Sequence, residues 1–251
     1  MTTLNDLVGF LDETLAIHAI ADRSQNGLQV ENSGKVTRVG LAVDASLATF
    51  EAARERGIDF LLVHHGLFWG QPENVTGPLY WRIKTLMDAD MALYAAHLPL
   101  DLHETLGNNA RIVAEAGWTD EGPFGLYQGT AIGRAAVLPQ PLTRDAFAQS
   151  LQKILGVTPL AWPFGTSTIR RVAVVSGGGL GQMKEAAQAG FDAFVTGEPG
   201  HSSYWLASEL GINVFFAGHY ATETWGVKAT GRLLTETFGL DVQFIDLPTG
   251  H

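Results

Sequence analysis

Two adjacent histidines end an apolar segment of the sequence, LLVHHGLFW at residues 61–69. Neighbouring side chains of a regular strand point to opposite faces, so His64 and His65 can share one target only where the strand ends and the chain turns. Imidazole is both a common metal ligand and a proton-transfer group near neutral pH. The pair therefore indicates a functional site at the end of a strand.

Two further histidines follow apolar segments, and each has an acid four residues later: His97 with Asp101, and His219 with Glu223. A single histidine at a strand end has a structural alternative, since caps and buried hydrogen bonds also use this residue. An acid near a helix start is likewise often a solvated or capping residue. Taken together, the double histidine and the two pairs favour a metal site over separate structural roles.

The chain contains no cysteine, so a metal ion would have to be held by imidazole, carboxylate or backbone oxygen. Such ligands suit zinc, manganese, iron, cobalt or nickel, and the residues do not choose among these metals. The set contains more donors than one tetrahedral ion needs. We therefore expect two divalent ions bridged by a carboxylate, with His64 and His65 as ligands of different ions.

The elements that must position these residues follow from the hydrophobic pattern. Short apolar segments alternate with stretches of helical periodicity, which is typical of a mostly parallel sheet covered by helices on both faces. Strands are predicted at VTRVGLAV, IDFLLV and MALYAA in the first half, and at RRVAVVS, FDAFVT and INVFFA in the second. A helix is predicted over residues 222–238, and HLPLD, with its proline, is predicted to be an extended turn. Sites in such sheets collect at the carboxyl ends of the strands, where the histidines and acids lie.

The two halves can be aligned as an internal repeat. The interval from Val39 to Asp59 is 20 residues, and the interval from Val172 to Asp192 is the same. In this register the double histidine corresponds to Gly197 and Glu198, and the third strands end at the two histidine–acid pairs. The first half then has 11 extra residues in its second connection, 38 against 27.

We predict two similar α/β lobes with mostly parallel sheets covered by helices and a metal cleft between them. The first lobe comprises residues 1–123, the second residues 169–251, and residues 124–168 connect them. The connection includes FGLYQGTAIGRAAVLP, whose alternation indicates a strand or hairpin. Each lobe carries one set of candidate site residues: His64, His65, His97 and Asp101 in the first, and His201, His219 and Glu223 in the second.

Composition excludes some classes of function. The net charge is −10 and no basic patch is visible, which argues against a nucleic-acid partner. No segment has the roughly 18 apolar residues of a membrane span, and the N-terminus lacks the positive region and cleavage signal of a secretory peptide. We expect a soluble, cytoplasmic protein. The turn SGGGLG at residues 176–181 is compatible with a phosphate-binding turn or with a tight turn that has no ligand.

Four segments, in chain order NGLQVE (residues 26–31), LLVHHGLFW, AAHLPLD and AGHYATE, resemble the Nif-three-like dinuclear-metal-centre proteins, whose bacterial members are often labelled GTP cyclohydrolase 1 type 2 homologs. The resemblance covers essentially the whole chain. It implies two α/β lobes around a cleft with two metal ions, in a homohexameric ring. The family's metal ligands then fall on five residues: His64, His65, Asp101, His219 and Glu223.

The same resemblance makes His97 and His201 near-site candidates. Either residue, if it is not a metal ligand, could act as a general acid or base, because imidazole titrates near neutral pH. The Trp-Asp pair that often precedes the NGLQ-type turn in the family is replaced here by Arg23-Ser24-Gln25, which leaves the metal set intact. Two functions remain open: a metal-dependent hydrolase acting on a nucleotide or similar small molecule, and a non-enzymatic metal-binding or regulatory scaffold. A third possibility is that the histidines are structural and that no metal binds.

Overall fold

The computed structural model of the chain describes residues 2–251 and divides into two compact units. The first unit comprises the chain up to Leu100 together with residues 226–247. The second comprises residues 101–225 and 248–251. The long helix His219–Phe238 is therefore assigned to the second unit up to Trp225 and to the first unit from Gly226 onward.

The first unit is built on a five-stranded sheet whose strands are, in order, β13 (Asp241–Phe244), β4 (Arg38–Asp44), β5 (Phe60–His65), β6 (Ala92–Ala95) and β2 (Gly27–Val30). Its strands are parallel except for β2, which pairs antiparallel with β6. The strands and helices that belong to this unit are β1 (Thr2–Thr3), α1 (Leu4–Thr14), β2 (Gly27–Val30), β3 (Lys35–Val36), β4 (Arg38–Asp44), α2 (Leu47–Glu55), β5 (Phe60–His65), α3 (Gly77–Asp88), β6 (Ala92–Ala95) and β13 (Asp241–Phe244), with the short helix α4 (Leu98–Asp101) at its boundary.

The central strands of this sheet are apolar because helices cover them. All four residues of β6 are buried, and β5 is buried until its last residue, His65. Phe50 of α2 and Leu86 of α3 are fully buried and belong to one core cluster with Leu61 of β5. This packing fixes the place where β5 and β6 end, and so the place of the histidines that follow them.

The second unit is built on a six-stranded sheet whose strands are, in order, β7 (Thr119–Tyr127), β8 (Thr130–Thr143), β10 (Thr168–Val174), β11 (Ala193–Thr196), β12 (Asn213–Phe216) and β9 (Leu160–Pro163). Strands β10, β11 and β12 are parallel, and the outer pairs are antiparallel. Its elements are α5 (Asn108–Glu115), β7 (Thr119–Tyr127), β8 (Thr130–Thr143), α6 (Arg144–Leu155), β9 (Leu160–Pro163), β10 (Thr168–Val174), α7 (Met183–Gln188), β11 (Ala193–Thr196), α8 (Tyr204–Leu210), β12 (Asn213–Phe216) and the start of α9 (His219–Phe238), with 3-10 turns at Gly179–Gln182 and His201–Ser203.

The fold class is confirmed: each unit has three central parallel strands covered by helices. The predicted repeat is also visible in the hydrogen bonds. Asp59 accepts the backbone N–H groups of Thr37 and Arg38, and Asp192 accepts those of Arg170 and Arg171, so equivalent carboxylates tie equivalent strands. The first two parallel strands pair in the same register in both sheets.

The repeat alignment is wrong by one residue at the third strand. Phe60 pairs with Ala92 in the first sheet, and its counterpart Ala193 pairs with Asn213 in the second. Position 97 therefore corresponds to position 218, and His219 corresponds to position 98. The extra length of the first unit is 12 residues (33 from position 59 to 92, against 21 from 192 to 213), not 11.

The unit boundaries differ from the predicted boundaries. Residues 101–123 and the predicted connection 124–168 belong to the second unit, because β7 pairs with β8 and β8 pairs with β10. Asp101 therefore belongs to the second unit, although it was predicted in the first lobe. Residues 226–247 return to the first unit, where β13 pairs with β4. The segment predicted as an extended turn contains the short helix α4, in which Pro99 occupies the first turn, where no intrahelical N–H is required.

No helix within residues 2–251 is both long enough and apolar enough to cross a membrane.

Candidate metal centre

The double histidine lies at the carboxyl end of β5, where the alternation of the strand separates the two rings. His64 is fully buried, and its Nδ1 lies 2.9 Å from the carbonyl oxygen of Ala96. His65 is partly exposed, and its Nδ1 lies 2.9 Å from Oδ1 of Asp44, the last residue of the neighbouring strand β4. Each ring is therefore fixed from the strand beside it.

His97 follows β6 and lies beside the double histidine. Its Nδ1 is 3.0 Å from Oδ2 of Asp22, whose side chain is only 3% exposed. Its backbone N–H donates to Oδ1 of Asn26 at 2.8 Å. Burial raises the pKa of the Asp22 carboxyl, but the hydrogen bond and charge of His97, with hydrogen bonds from Asn26 and Ser24, hold that pKa well below its ordinary value. Asp22 therefore remains an acceptor.

The three rings form one cluster within the first unit. The ring centroid of His64 lies 4.7 Å from that of His65 and 5.1 Å from that of His97, and those of His65 and His97 lie 5.6 Å apart. One ring nitrogen from each residue lies within 4.8 Å of the others. Because carbonyl and carboxylate oxygens only accept, Nδ1 of each neutral ring carries the proton and its Nε2 keeps a lone pair. This donor set fits a divalent metal ion.

In the second unit, one imidazole lies between two carboxylates. His219 opens α9, and its Nε2 is 3.2 Å from Oε1 of Glu223 one turn further along the helix. Its Nδ1 is 3.1 Å from Oε2 of Glu198, which follows β11. The hydrogen bond to Glu223 raises the pKa of His219 to about 9 against the opposing effect of burial, and Glu198 adds to the increase. Without a metal ion the pair is therefore an imidazolium–carboxylate pair.

Gly177 lies directly next to the side chains of His219 and Glu223. A Cβ added at Gly177, whose φ is +60°, would lie 2.0 Å from Oε1 of Glu223 and 3.1 Å from Nε2 of His219. The backbone N–H of Gly177 donates to Oγ1 of Thr222, and that of Ser176 donates to Oδ1 of Asn109. These two N–H groups of the SGGGLG turn are thus used by the protein itself, and the turn leaves room for the Glu223 carboxylate.

Asp101 is the third carboxylate of the predicted set. It is buried at the end of α4, and its Oδ1 accepts hydrogen bonds from Nδ2 of Asn108 at 2.8 Å and from Oγ of Ser176 at 3.0 Å. Asn109 donates to the backbone oxygen of Asp101. Asn108 and Ser176 therefore fix the orientation of the Asp101 carboxylate within the second unit.

Three of the predicted site residues, His64, His65 and His97, come together in the first unit, and His219 and Glu223 do so in the second. His201 is exposed in a 3-10 turn and belongs to neither cluster of neighbouring donors among residues 2–251. The sequence did not identify the acids that hold the rings. Asp44 could have been found as a polar residue at the end of a buried strand, but nothing near Asp22 marks it.

Comparison with known proteins gives one consistent result. The sequence profile of the Duf34/NIF3 family (NGG1p interacting factor 3) matches residues 2–250. A protein of Deinococcus radiodurans, named GTP cyclohydrolase 1 type 2 homolog, is 48% identical over 98% of this chain and 94% of its own length. The solved structure of protein ybgI, described as of unknown function, has a TM-score of 0.94 at 37% identity, with full coverage of both chains. The solved structure of TTHA1606 from Thermus thermophilus has a TM-score of 0.92 at 41% identity, also with full coverage.

Proposed function

The chain belongs to the Duf34/NIF3 family, and we propose that it binds two divalent metal ions and acts with them as a hydrolase on a nucleotide or similar small molecule. The observation that carries this proposal is the cluster of three imidazoles in the first unit, each with its Nδ1 facing an oxygen acceptor. Structural histidines do not require a shared orientation of this kind, whereas metal-binding histidines use it regularly. The name of the Deinococcus radiodurans relative, GTP cyclohydrolase 1 type 2 homolog, supports hydrolysis of a nucleotide.

The proposed ligands are five residues. The first unit provides the imidazoles of His64, which is buried, and His65, which is partly exposed. The second unit provides the carboxylates of Asp101 and Glu223 and the imidazole of His219. His64 and His65 are ligands of different ions. This set is rich in nitrogen and oxygen and has no sulfur, which suits zinc, manganese, iron, cobalt or nickel. Two divalent ions would bring four positive charges to a chain with a net charge of −10, which supports binding of an anionic substrate.

Divalent ions in such a site supply a water of lowered pKa and polarise a substrate oxygen. The residues of the chain have separate tasks. His97 keeps its Nδ1 proton against Asp22, so its Nε2 is the atom that takes up or releases a proton. Glu198 orients His219 through Nδ1. His201, which is exposed, is proposed as a second proton-transfer residue in contact with solvent.

Turnover tests this proposal. Metal-loaded protein is assayed against a panel of nucleotides and model phosphoesters, together with His64→Ala, Glu223→Ala and the matched control His18→Ala, which removes an exposed histidine outside both clusters. We expect turnover in the wild type and the control, and a loss of at least about 100-fold in the other two. Stoichiometric metal without turnover on the whole panel would favour the regulatory scaffold.

By family resemblance we also propose that the chain forms a homohexamer. Light scattering of purified protein coupled to size-exclusion chromatography measures its mass directly. A mass six times the 27.0 kDa of the chain is expected, and a monomer at micromolar concentration would refute the proposal.

A further inference from the structure

The NGLQVE segment offers no side chain to either cluster of metal-binding donors, yet it adjoins the imidazole cluster. Its first residue, Asn26, precedes β2, and β2 pairs antiparallel with β6, with Gly27 opposite Ala95. This pairing places Asn26 beside the chain that leaves β6 toward His97. The segment therefore lies against the strand end that carries a histidine.

Asp22 and Asn26 contact the same histidine from two directions. Asp22 accepts from Nδ1 of His97 and also from the backbone N–H of Leu98 at 3.0 Å, and Asn26 accepts the backbone N–H of His97 at 2.8 Å. The two side chains are tied together, because Nδ2 of Asn26 donates to Oδ2 of Asp22 at 2.9 Å. The side chains of Asp22 and Asn26 thus hold the ring and backbone of His97 and the backbone of Leu98, the first residue of α4.

Gln29 performs a similar task for the chain after the double histidine. Its Oε1 accepts the backbone N–H of Leu67 at 2.7 Å, and its Nε2 donates to the backbone oxygen of Gln25 at 2.6 Å. A Cβ at Gly66 would lie 2.4 Å from Nε2 of Gln29, so the glycine permits the close approach. The turn after His65 is therefore fixed against the same segment.

We propose that Asp22, Asn26 and Gln29 are positioning residues: Asp22 and Asn26 hold His97 so that its Nε2 is available for proton transfer beside the metal ligands, and Gln29 holds the turn that follows the ligand His65. The inference deepens the proposed function and rests on it for the metal. The positioning itself does not depend on the metal, because every contact that carries it lies within the protein. A carboxylate at position 22 is required, since it must accept from several donors and can donate to none.

The tautomer of His97 is the direct readout. In protein labelled with ¹⁵N-histidine, long-range ¹H–¹⁵N spectra distinguish a protonated Nδ1 from a protonated Nε2, and His97→Gln assigns the signals. Metal-free wild type should show His97 with the proton on Nδ1. In Asp22→Asn the amide can present an N–H to Nδ1, which would move the proton to Nε2, as the equivalent change does in a serine protease triad. Because the His97 ring lies against the rings of the proposed ligands His64 and His65, we also expect zinc affinity to fall by about tenfold.

The matched control is Asp59→Asn, which alters a carboxylate that accepts two backbone N–H groups at the opposite end of β5. It should leave the His97 tautomer and the zinc affinity at wild-type values. If Asp22→Asn does not fold, Asn26→Ala keeps the carboxylate but removes the acceptor of the His97 backbone N–H, so we expect the Nδ1-protonated tautomer with a smaller loss of affinity. A wild-type tautomer in folded Asp22→Asn, or a wild-type affinity in Asn26→Ala, would overturn the proposal. A changed tautomer in a protein that never binds zinc would refute the proposed metal function and leave the positioning role intact.

Discussion

The ends of the two sheets place different chemistry on the same frame. In the first sheet, β4 ends at Asp44 and β5 ends at His65, whose Nδ1 faces that acid. In the second sheet, the corresponding positions are Gly177 and Glu198. Glycine is required there because the Glu223 carboxylate occupies the space that a side chain would fill. The first sheet end therefore has imidazoles held by oxygen acceptors, whereas the second has one imidazole between two carboxylates.

The two halves therefore share one backbone arrangement but carry different donor atoms at the strand ends. Asp59 and Asp192 tie the amino ends of the strands in the same way, so the two frames are built alike. At the carboxyl ends, a nitrogen-rich set stands in one half and an oxygen-rich set in the other.

A substitution at Gly177, whose Cα lies next to the Glu223 carboxylate, should have the largest effect. Gly177→Ala places a methyl group 2.0 Å from Oε1 of Glu223 at a backbone position with φ of +60°. We expect the free energy of unfolding to fall by about 1–3 kcal/mol, and zinc affinity to fall more than about tenfold because the carboxylate is displaced. Gly181→Ala, in the same turn, meets no atom within 4 Å and should match the wild type in both measurements. Equal behaviour of the two variants would contradict the role of Gly177.

The raised pKa of His219 should have the next largest effect, which appears in the pH dependence of stability. Its pKa is raised to about 9 in the metal-free protein from 6.5, chiefly by the hydrogen bond to Glu223. Because the folded pKa is raised, the stabilisation is fully present below about pH 6.5 and is lost as the pH rises through about 9. An NMR titration of His219 and unfolding curves on the two sides of this range test the expectation. Glu223→Gln should lower the pKa, and a wild-type midpoint at the ordinary value of 6.5 would contradict the expectation.

The shared frame predicts matched effects at the amino ends of the strands. Asp59→Asn and Asp192→Asn each remove a carboxylate that accepts two backbone N–H groups. Denaturant unfolding should show that each substitution costs about 1–3 kcal/mol, with the two values close to each other. A large cost at one position and none at the other would show that the two sheets are not built alike.

The smallest effect is expected at Asp101. Ser176→Ala removes the hydroxyl that donates to Oδ1 of Asp101 at 3.0 Å but leaves the donor from Asn108 in place. We expect zinc affinity to weaken about fivefold, equivalent to about 1 kcal/mol. Calorimetric titration measures this difference, with Ser150→Ala as the control, since the Ser150 hydroxyl donates to a helix carbonyl away from both clusters. An unchanged affinity would show that Asn108 alone orients the carboxylate.

The sequence predicted the strands well because buried parallel strands are apolar along their whole length. The helix predicted over residues 222–238 begins three residues earlier, at His219, so the four residues between His219 and Glu223 span one helical turn. The same spacing of four residues separates His97 and Asp101, but the two pairs are not equivalent. Helix α4 begins at Leu98, so His97 lies before the helix, whereas His219 is the first residue of α9.

Long-range contacts account for most of what the sequence did not predict. Asp22 contacts His97, which is 75 residues away in the sequence, and hydrophobic periodicity does not predict such a contact. The unit boundaries were missed for the same reason, because β13 pairs with β4 across most of the chain. The hairpin of β7 and β8 was predicted as a local element, but the sheet to which it belongs depends on the pairing of β8 with β10.

The metal content of untagged protein tests the central claim most directly. The protein is stripped with a chelator, reloaded separately with zinc and with manganese, dialysed, and measured by elemental analysis alongside its concentration. Two ions per chain are predicted for at least one of the two metals. Less than one ion per two chains with both metals would contradict the metal centre.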